Sequence, residues 1–556
     1  MSLDSVLLAL IALAWLPANH YLPWLSAWQE GLALLAAALA ATTLSRPGRI
    51  PVPWGLAALV ALVSVLAQAL TGQLLFAGDA WLVALYLLAF MLSLAIGSTL
   101  VDDRGSGGAS RLELLCGALL AAALVSAGIG FAQWAGVQNL GIFGADLPPN
   151  ARPFANFGQP NHWCTASFIG LASAWVLYEA RRIGGLTLGL LAAMLLMAMV
   201  VSGSRTAWLQ LGFGLLLLLF LGRRADLRLR LPPVLLALGG VALAWMLWPL
   251  LVADAGQGAA RSVAEQAQTG LRLPLWIALL DAIAQRPWAG YGWQQVSMAQ
   301  QAVALDHPPL YVHFEHAHNL LLDLMIWLGV PLALALAGLI AWGLFGLSRA
   351  TRDPRAAGLL LAIGGVLAHA MVEFPVEYAY FLLPMGLMLG AAHRMAQLPS
   401  WPVPRVAVRV GGAVALGMLA LTASDYLVAE TNYRSMRFES ARVGTDRIDS
   451  TAPELRVLTQ LEAFLAYARR PPGAGLGADE LARLERVVAR FPYPAAQFRL
   501  AQWQALNGQP AAASRNLQLI CAMHRPALCR ESLAAWAALQ AEQPALRAVT
   551  LPAIAR

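Results

Sequence analysis

The stretch WLVALYLLAFMLSLAIGSTLV, Trp81–Val101, decides the fold class, because its 21 residues contain no charged side chain. A helix of about 20 apolar residues is long enough to cross the hydrocarbon core of a bilayer. A second stretch, Leu112–Trp134, has one acidic residue near its start. Of the 556 residues 59% are hydrophobic and only 12% are charged, whereas soluble domains carry about 25% charged residues. The sequence therefore predicts an all-α polytopic membrane protein.

Apolar runs of similar length recur outward from this stretch over the first three quarters of the chain. We count about thirteen predicted transmembrane helices: 4–18, 31–45, 53–73, 80–101, 112–134, 161–179, 184–201, 205–222, 232–253, 319–346, 356–373, 378–396 and 410–428. A hydrophilic tail follows. We therefore divide the chain into a transmembrane domain, 1–429, with a large external loop at about 254–318, and a helical domain, 430–556.

The arginines predict the orientation in the membrane. The net charge of +7 comes with no lysine at all, and most N-terminal arginines lie in short loops between spans, so we expect no nucleic-acid partner. Alternate loops, called here the Arg-rich loops, hold sixteen arginines: Arg46, Arg49, Arg104, Arg111, Arg181, Arg182, Arg223, Arg224, Arg228, Arg230, Arg349, Arg352, Arg355, Arg394, Arg405 and Arg409. The other loops, up to the last span, hold five: Arg152, Arg205, Arg261, Arg272 and Arg286. The positive-inside rule places the Arg-rich loops in the cytoplasm and the tail in the periplasm.

The tail has the pattern of a small helical domain. Leucine and valine recur at helical spacing over 481–488, and Phe498–Leu506 and Ala511–Ile520 resemble paired helices. This arrangement is similar to a degenerate tetratricopeptide unit. Cys521 and Cys529 lie in the same tail, where an oxidising periplasm favours a disulfide bond; two buried thiols are the alternative.

Amide side chains crowd one external loop at the start of a predicted span. The segment 152–162 contains Arg152, Asn156, Gln159 and Asn161 beside proline and glycine, which interrupt helices and leave polar groups exposed. One interpretation is a binding site for a polar head group. The other is a re-entrant loop in which asparagine caps the next helix.

One further external arginine, Arg205, is a candidate for phosphate binding. Arg205 follows Ser202-Gly203-Ser204 in a tight turn, and Arg272 precedes the amphipathic stretch Leu275–Ala284, which we expect along the membrane surface. A guanidinium group matches an oxyanion with two hydrogen bonds. The alternative for Arg205 is an anchor whose side chain reaches lipid phosphates.

Histidines and carboxylates occur just before and after two later spans. His313, Glu315, His316 and His318 precede Asn319, and a histidine with a pKa near 6.5 is suited to remove a proton from a hydroxyl. A metal site and polar residues at the membrane interface are the alternatives. The other segment contains Glu373, Glu377 and Tyr378, whose carboxylates either orient an arginine or histidine or are solvated.

Four of these stretches, in this order, resemble the bacterial O-antigen ligase and O-oligosaccharyltransferase superfamily. They are Arg152–His162, Ser202–Trp208, His316–Leu321 and Glu373–Pro384. The branch that the chain resembles most is that of the pilin or general protein O-oligosaccharyltransferases.

The resemblance implies a GT-C-like membrane fold and transfer of an undecaprenyl-diphosphate-linked oligosaccharide on the periplasmic face of the inner membrane. It implies no metal and no other cofactor. The matching residues are His318 as the essential histidine, and Arg152, Arg205 and Arg272 as ligands of the donor diphosphate. We add Asn156, Gln159, Asn161, His316, Asn319, Glu373 and Tyr378 as substrate-binding candidates. The expected partners are the lipid-linked donor, an acceptor protein such as pilin, and membrane lipids.

Other functions remain open at this stage. An O-antigen polymerase would use a second lipid-linked glycan as acceptor, and an O-antigen ligase would use the lipid A core. A transporter would need ionisable groups within its spans, where His369 is the main example. A scaffold without catalysis would leave the external arginine and histidine residues unexplained.

Overall fold

The computed structural model describes residues 10–18, 21–101, 110–137, 139–148, 151–222, 224–253, 270–441 and 451–552. Arg104, Arg223 and Arg261, and the part 254–269 of the predicted external loop, lie outside the described residues. The described chain is almost entirely helical, and its helices are α1 Ala27–Thr43, α2 Val52–Leu70, α3 Ala77–Gly97, α4 Arg111–Trp134, α5 Pro160–Glu179, α6 Gly185–Val201, α7 Thr206–Leu221, α8 Leu231–Ala253, α9 Arg272–Gln285, α10 Val296–Val303, α11 Leu320–Leu328, α12 Val330–Ala350, α13 Pro354–Ala370, α14 Ala379–Met395, α15 Arg405–Ser440, α16 Thr459–Arg469, α17 Ala478–Arg490, α18 Pro494–Leu506, α19 Pro510–Met523 and α20 Pro526–Glu542. Two short strands, β1 Gly48–Pro51 and β2 Ser400–Val403, form an antiparallel pair.

Six of the described helices are long and apolar enough to cross a membrane: α2, α3, α4, α8 (over Leu231–Trp248), α12 and α15. Three shorter apolar helices, α6, α7 and α13, have 16 or 17 residues each. These helices confirm a helical membrane protein, and the total of about thirteen spans stays a prediction.

The chain packs as two compact units that do not follow chain order. Unit 1 comprises Met1–Ala61, Leu85–Gln268 and Ala337–Ala420, and unit 2 comprises Leu62–Ala84, Thr269–Leu336 and Leu421–Arg556. The predicted domain boundary at 429/430 falls inside α15, which is one unbroken helix of 36 residues from Arg405 to Ser440. At 1.5 Å per residue this helix is about 54 Å long, which exceeds the roughly 30 Å of a hydrocarbon core.

Unit 1 is built around α5, which packs against α4, α6 and α13. Small residues permit these close approaches. A Cβ atom added to Gly130 of α4 would meet the indole of Trp163, and one added to Gly170 of α5 would meet Ala123. Small residues at helix crossings are the usual means by which membrane helices approach closely.

Contacts between loops agree with the alternation of arginines along the sequence. Strands β1 and β2 come from two different Arg-rich loops and pair from Gly48 with Val403 to Pro51 with Ser400. Arg182 Nε donates to Glu113 at 2.8 Å, which joins two further Arg-rich loops. Each contact therefore connects loops that the arginines assign to one side.

One predicted span, 319–346, is two helices in the structure. The sequence predicts a single helix over 319–346, but the helix is interrupted at Gly329, whose φ is +77°. The break serves a loop contact: Val330 N–H donates to Pro287 O at 2.7 Å, and Tyr291 N–H donates to Ile326 O at 2.6 Å. A side chain on Gly329 would meet the carbonyl of Trp288, so glycine is required there.

The tail forms successive packed helix pairs from α17 to α20, with the strongest pairing between α18 and α19. The predicted pair, Phe498–Leu506 and Ala511–Ile520, corresponds to α18 and α19. Cys521 and Cys529 are joined by a disulfide bond.

Candidate active site

A single buried glutamine, Gln133, fixes the loop after α4. Gln133 Nε2 donates to Ala145 O at 2.9 Å and to Ala155 O at 2.7 Å, while its Oε1 accepts from the backbone N–H groups of Phe154 and Ala155. Ala155 is fully buried and has a φ of +54°, which is unfavourable for a residue other than glycine. The loop thus enters α5 in one defined conformation.

Asn156 and Gln159 follow in this loop, and neither caps α5 with its side chain. Asn156 is 1% exposed and donates through Nδ2 to Trp15 O, and its own carbonyl accepts from Gln29 at 3.3 Å. These contacts are within the protein, so the structure favours a supporting role for Asn156. Gln159 occupies the N-cap position without a side-chain cap bond.

Asn161 joins three of the sequence clusters in unit 1. Its Nδ2 donates to Glu373 Oε1 at 2.9 Å, and its Oδ1 accepts from Ser204 Oγ at 2.7 Å. Glu373 is 4% exposed and Ser204 is fully buried. The alternative that an asparagine caps α5 is wrong, because the N-cap residue is Gln159 and it makes no side-chain cap bond. The amide of Asn161 instead connects α5 to the α6–α7 turn and to the segment after α13.

Arg152 binds the turn that contains Arg205. Its NH1 donates to the carbonyls of Gly203 at 2.8 Å and Ser202 at 3.3 Å, at the end of α6, where helix carbonyls carry partial negative charge. Gly203 has a φ of +56°, and Arg205 directly precedes α7. Arg152 and Arg205, two of the three arginines that we predict to bind the donor diphosphate, therefore lie at one turn.

Tyr378 packs against the first turn of α5. The rings of Tyr378 and His162 lie 4.5 Å apart in an edge-to-face arrangement, and His162 Nδ1 is 2.9 Å from the hydroxyl of Tyr380. His162 is 1% exposed. The segment 373–380 is therefore held to α5 both by the carboxylate of Glu373 and by two tyrosines.

In unit 2, His318 lies in a tightly held turn before α11. Its φ is +53°, and Asn319 caps the helix by accepting from the N–H groups of Leu321 and Leu322. The side-chain oxygen of Asn319 is thus used to cap the helix that follows His318. His318 is half-buried, and its ring contacts that of Phe314 at 5.6 Å.

Both backbone polar groups of Ala317 are fixed. Asp323 Oδ1 accepts from Ala317 N–H at 2.7 Å, and Trp276 Nε1 donates to Ala317 O at 2.8 Å. Ala317 is fully buried and immediately precedes His318. Arg272 begins α9 and lies one turn before Trp276, so both residues are on the same face of that helix.

The histidines before His318 differ in their surroundings. His313 Nε2 is 2.8 Å from Ser297 Oγ, and burial, together with the nearby His524 and Arg490, lowers its pKa from 6.5 to about 3. His316 is half-buried in the same loop. Among the residues that the structure describes, no three histidine, cysteine or acidic side chains are placed to hold a metal ion.

Comparison with known proteins identifies the family. Residues 189–337 match a family model described as O-antigen ligase, and residues 357–543 match one described as virulence factor membrane-bound polymerase, C-terminal. The chain is 30% identical over 535 residues to a general O-oligosaccharyltransferase of Acinetobacter baylyi, covering 93% of this chain and 91% of that protein. It is also 30% identical over 256 residues to a ComP-specific O-oligosaccharyltransferase of the same organism, covering 46% of each.

The chain belongs to the O-antigen ligase and O-oligosaccharyltransferase family. It is therefore an enzyme, a glycosyltransferase, as the sequence motifs predict.

The structure of this family member also shows supporting residues that sequence reasoning missed. Glu30, 2% exposed, accepts from Trp24 Nε1 at 2.9 Å, from the Ala379 N–H group at 3.2 Å, and from the hydroxyls of Ser26 and Tyr86. The Ala379 contact fixes the start of α14. A carboxylate beside an apolar run is a recognisable signal for such a residue.

Proposed function

We propose that the protein transfers an oligosaccharide from undecaprenyl diphosphate to a serine or threonine hydroxyl of a periplasmic protein such as pilin. The observation that carries this proposal is the 30% identity to a general O-oligosaccharyltransferase over 93% of the chain. Enzymes of that name need a lipid-linked glycan donor and a protein acceptor. The inner membrane, a periplasmic active site, the donor lipid and the pilin acceptor are parts of the proposal.

The reaction is an inverting displacement at the anomeric carbon. The acceptor oxygen forms a bond to this carbon while the bond from the carbon to the donor phosphate oxygen breaks. The polyprenyl diphosphate leaves with the bonding electrons, and the hydroxyl proton passes to His318. No metal, nucleotide or other cofactor takes part in the proposed step.

The arginines stabilise the charge of the leaving group. Arg152, Arg205 and Arg272 are assigned to the diphosphate, because fixed guanidinium groups favour the negative charge that develops on its oxygens. Two of them share the turn between α6 and α7. The hydrogen bonds from Arg152 to the carbonyls of Ser202 and Gly203 also hold that turn.

The amide and aromatic candidates are assigned to orientation of the substrates. Asn161 and Glu373 hold their segments together, and Tyr378 packs beside them against His162. Gln159, Asn156, His316 and Asn319 remain proposed binding residues; contacts within the protein already engage the side chains of Asn156 and Asn319. Asn161, Glu373 and Tyr378, which lie together in unit 1, are suited to hold a glycan or a peptide hydroxyl in one position.

The test uses the purified full chain, a lipid-linked oligosaccharide and pilin. His318→Ala should lower transfer by at least about a hundredfold, the lower limit for loss of a general base. His307→Ala is the matched control, because His307 lies in the same loop and pairs with Asp281 at 3.3 Å. Full activity of His318→Ala would exclude it as the base.

The second candidate is a polymerase that extends one lipid-linked glycan with another. It is favoured by the match of residues 357–543 to a family model described as a polymerase. Supplying donor alone distinguishes the two, since a polymerase lengthens the lipid-linked glycan and a protein transferase requires the pilin.

Thiol labelling from the external side, on the variants Arg205→Cys and His318→Cys, tests the proposed sidedness.

A further inference from the structure

Unit 1 contains an apolar groove of about 560 Å³ that is separate from the candidate catalytic residues. Helices α5, α6, α7 and α8 form its walls, with Leu361 of α13. Its volume lies in the range of small-molecule sites, about 300–1,000 Å³. Nothing in the proposed reaction uses this space.

The groove opens sideways along α6 and α8. Gly189 and Gly240 line it, both are exposed, and a Cβ atom built on either would meet no other atom within 4 Å. Most lining residues of α5 and α8 belong to the halves of those helices nearer the Arg-rich loops, from Leu171 to Tyr178 and from Pro233 to Val241, while Phe168 and Ala244 lie just beyond the helix midpoints. A lipid chain from the leaflet on that side can therefore enter laterally.

One end of the groove carries a cation. The guanidinium of Arg228 lies 4.0 Å from the ring centre of Tyr178, which lines the groove, and donates to Tyr178 O at 2.8 Å. Arg228 is exposed, as are Arg181 and Arg230. The carboxylate of Glu179 accepts from the backbone N–H groups of Arg228 and Leu229 and from Trp175 Nε1, at 2.8–2.9 Å.

We propose that this groove binds one acyl chain of an anionic phospholipid, whose phosphate contacts Arg228 with Arg181 and Arg230 nearby. The groove suits both parts of such a lipid. Its apolar walls bury the acyl chain away from water, and the exposed arginines at its end bind the phosphate. The polyprenyl donor fits less well, because its diphosphate is assigned to Arg152 and Arg205 at the opposite ends of α6 and α7.

The test measures bound lipid on the full chain by native mass spectrometry after reconstitution with equal phosphatidylglycerol and phosphatidylcholine. Wild-type protein should retain phosphatidylglycerol, and Gly240→Leu should reduce the retained amount about tenfold, since a leucine side chain takes the space of the lipid chain. Gly239→Leu is the matched control, because Gly239 is exposed on the same helix without lining the groove. Arg228→Gln should abolish the preference for phosphatidylglycerol.

Equal retention by Gly240→Leu and Gly239→Leu would overturn the proposal, and so would displacement of the phospholipid by undecaprenyl phosphate at equal concentration. A measurement on the natural chain needs no variant. Phosphatidylglycerol should raise the unfolding temperature above that in phosphatidylcholine, and an identical unfolding temperature in the two lipids would contradict the site. Both readouts are independent of glycan transfer.

Discussion

The two hydrogen bonds that fix the backbone of Ala317 allow a test of how the fold positions His318. Trp276 Nε1 donates to Ala317 O at 2.8 Å, and Ala317 is fully buried. Trp276→Phe removes this donor while keeping an aromatic ring. The change leaves the carbonyl of Ala317 without this hydrogen bond, next to the residue that we propose as the base.

The size of the effect follows from the burial of that carbonyl. Removing one partner of a buried hydrogen bond costs about 1–3 kcal/mol. If this free energy is lost from the conformation that holds His318 in place, the fraction of correctly placed enzyme falls by about 5- to 150-fold. We therefore expect kcat to fall within that range, with little change in the KM for the lipid-linked donor, because the diphosphate is assigned to arginines.

The assay is steady-state transfer from lipid-linked oligosaccharide to pilin, with donor concentration varied. Trp288→Phe is the matched control, because Trp288 belongs to the same unit and is 81% exposed. It should keep the wild-type kcat. A Trp276→Phe enzyme with unchanged kcat and an unchanged unfolding temperature would refute the argument that this hydrogen bond sets the position of His318.

Three further predictions concern other contacts. Asn161→Ala removes the amide between Glu373 and Ser204 and should lower the transfer rate by about tenfold or more, measured with the same assay. Burial keeps His313 neutral in the folded protein, whereas below pH 6.5 this histidine binds a proton in the unfolded chain. The unfolding temperature should therefore fall as the pH drops from 6.5 towards 3, and it should fall less in His313→Gln. Loss of the Cys521–Cys529 bond in the double serine variant should destabilise the tail by about 2–3 kcal/mol, measured by chemical unfolding.

Matched controls distinguish these effects from general damage. Asn139→Ala, the control for Asn161→Ala, changes an exposed asparagine of the loop between α4 and α5 and should keep the wild-type rate. For the pH dependence of unfolding, the wild-type chain is the control for His313→Gln, because the two chains differ only in that imidazole. Cys116→Ser changes a free buried cysteine outside the tail, and the unfolding of its tail should match wild type. Equal behaviour of a test variant and its control would contradict the corresponding prediction.

Local signals along the sequence were sufficient for the class of protein, for the positions of several long apolar helices and for the family. The apolar run at Trp81–Val101 lies largely within α3, and Leu112–Trp134 lies within α4. The length of an apolar run and the positions of its flanking arginines are read directly from neighbouring residues. The four motif stretches likewise led to the family that the comparisons confirm.

The architecture of the site depended on tertiary structure. Asn161 meets Ser204 and Glu373, which are 43 and 212 residues away in the chain, and no local pattern predicts that approach. The break at Gly329 was also missed, because the run on both sides is apolar and only the contact with Pro287 requires it.

The sequence by itself determined that this chain is a helical membrane protein and which residue types are available for chemistry, because the length of an apolar run and the placement of charge are local properties of the chain. Which loops share a side of the membrane stays a prediction from the arginines. Only the tertiary structure decided which polar groups support others. A buried amide or carboxylate must find a partner wherever the folded chain supplies one, and for Asn161, Ala317 and Glu30 those partners come from other segments of the chain.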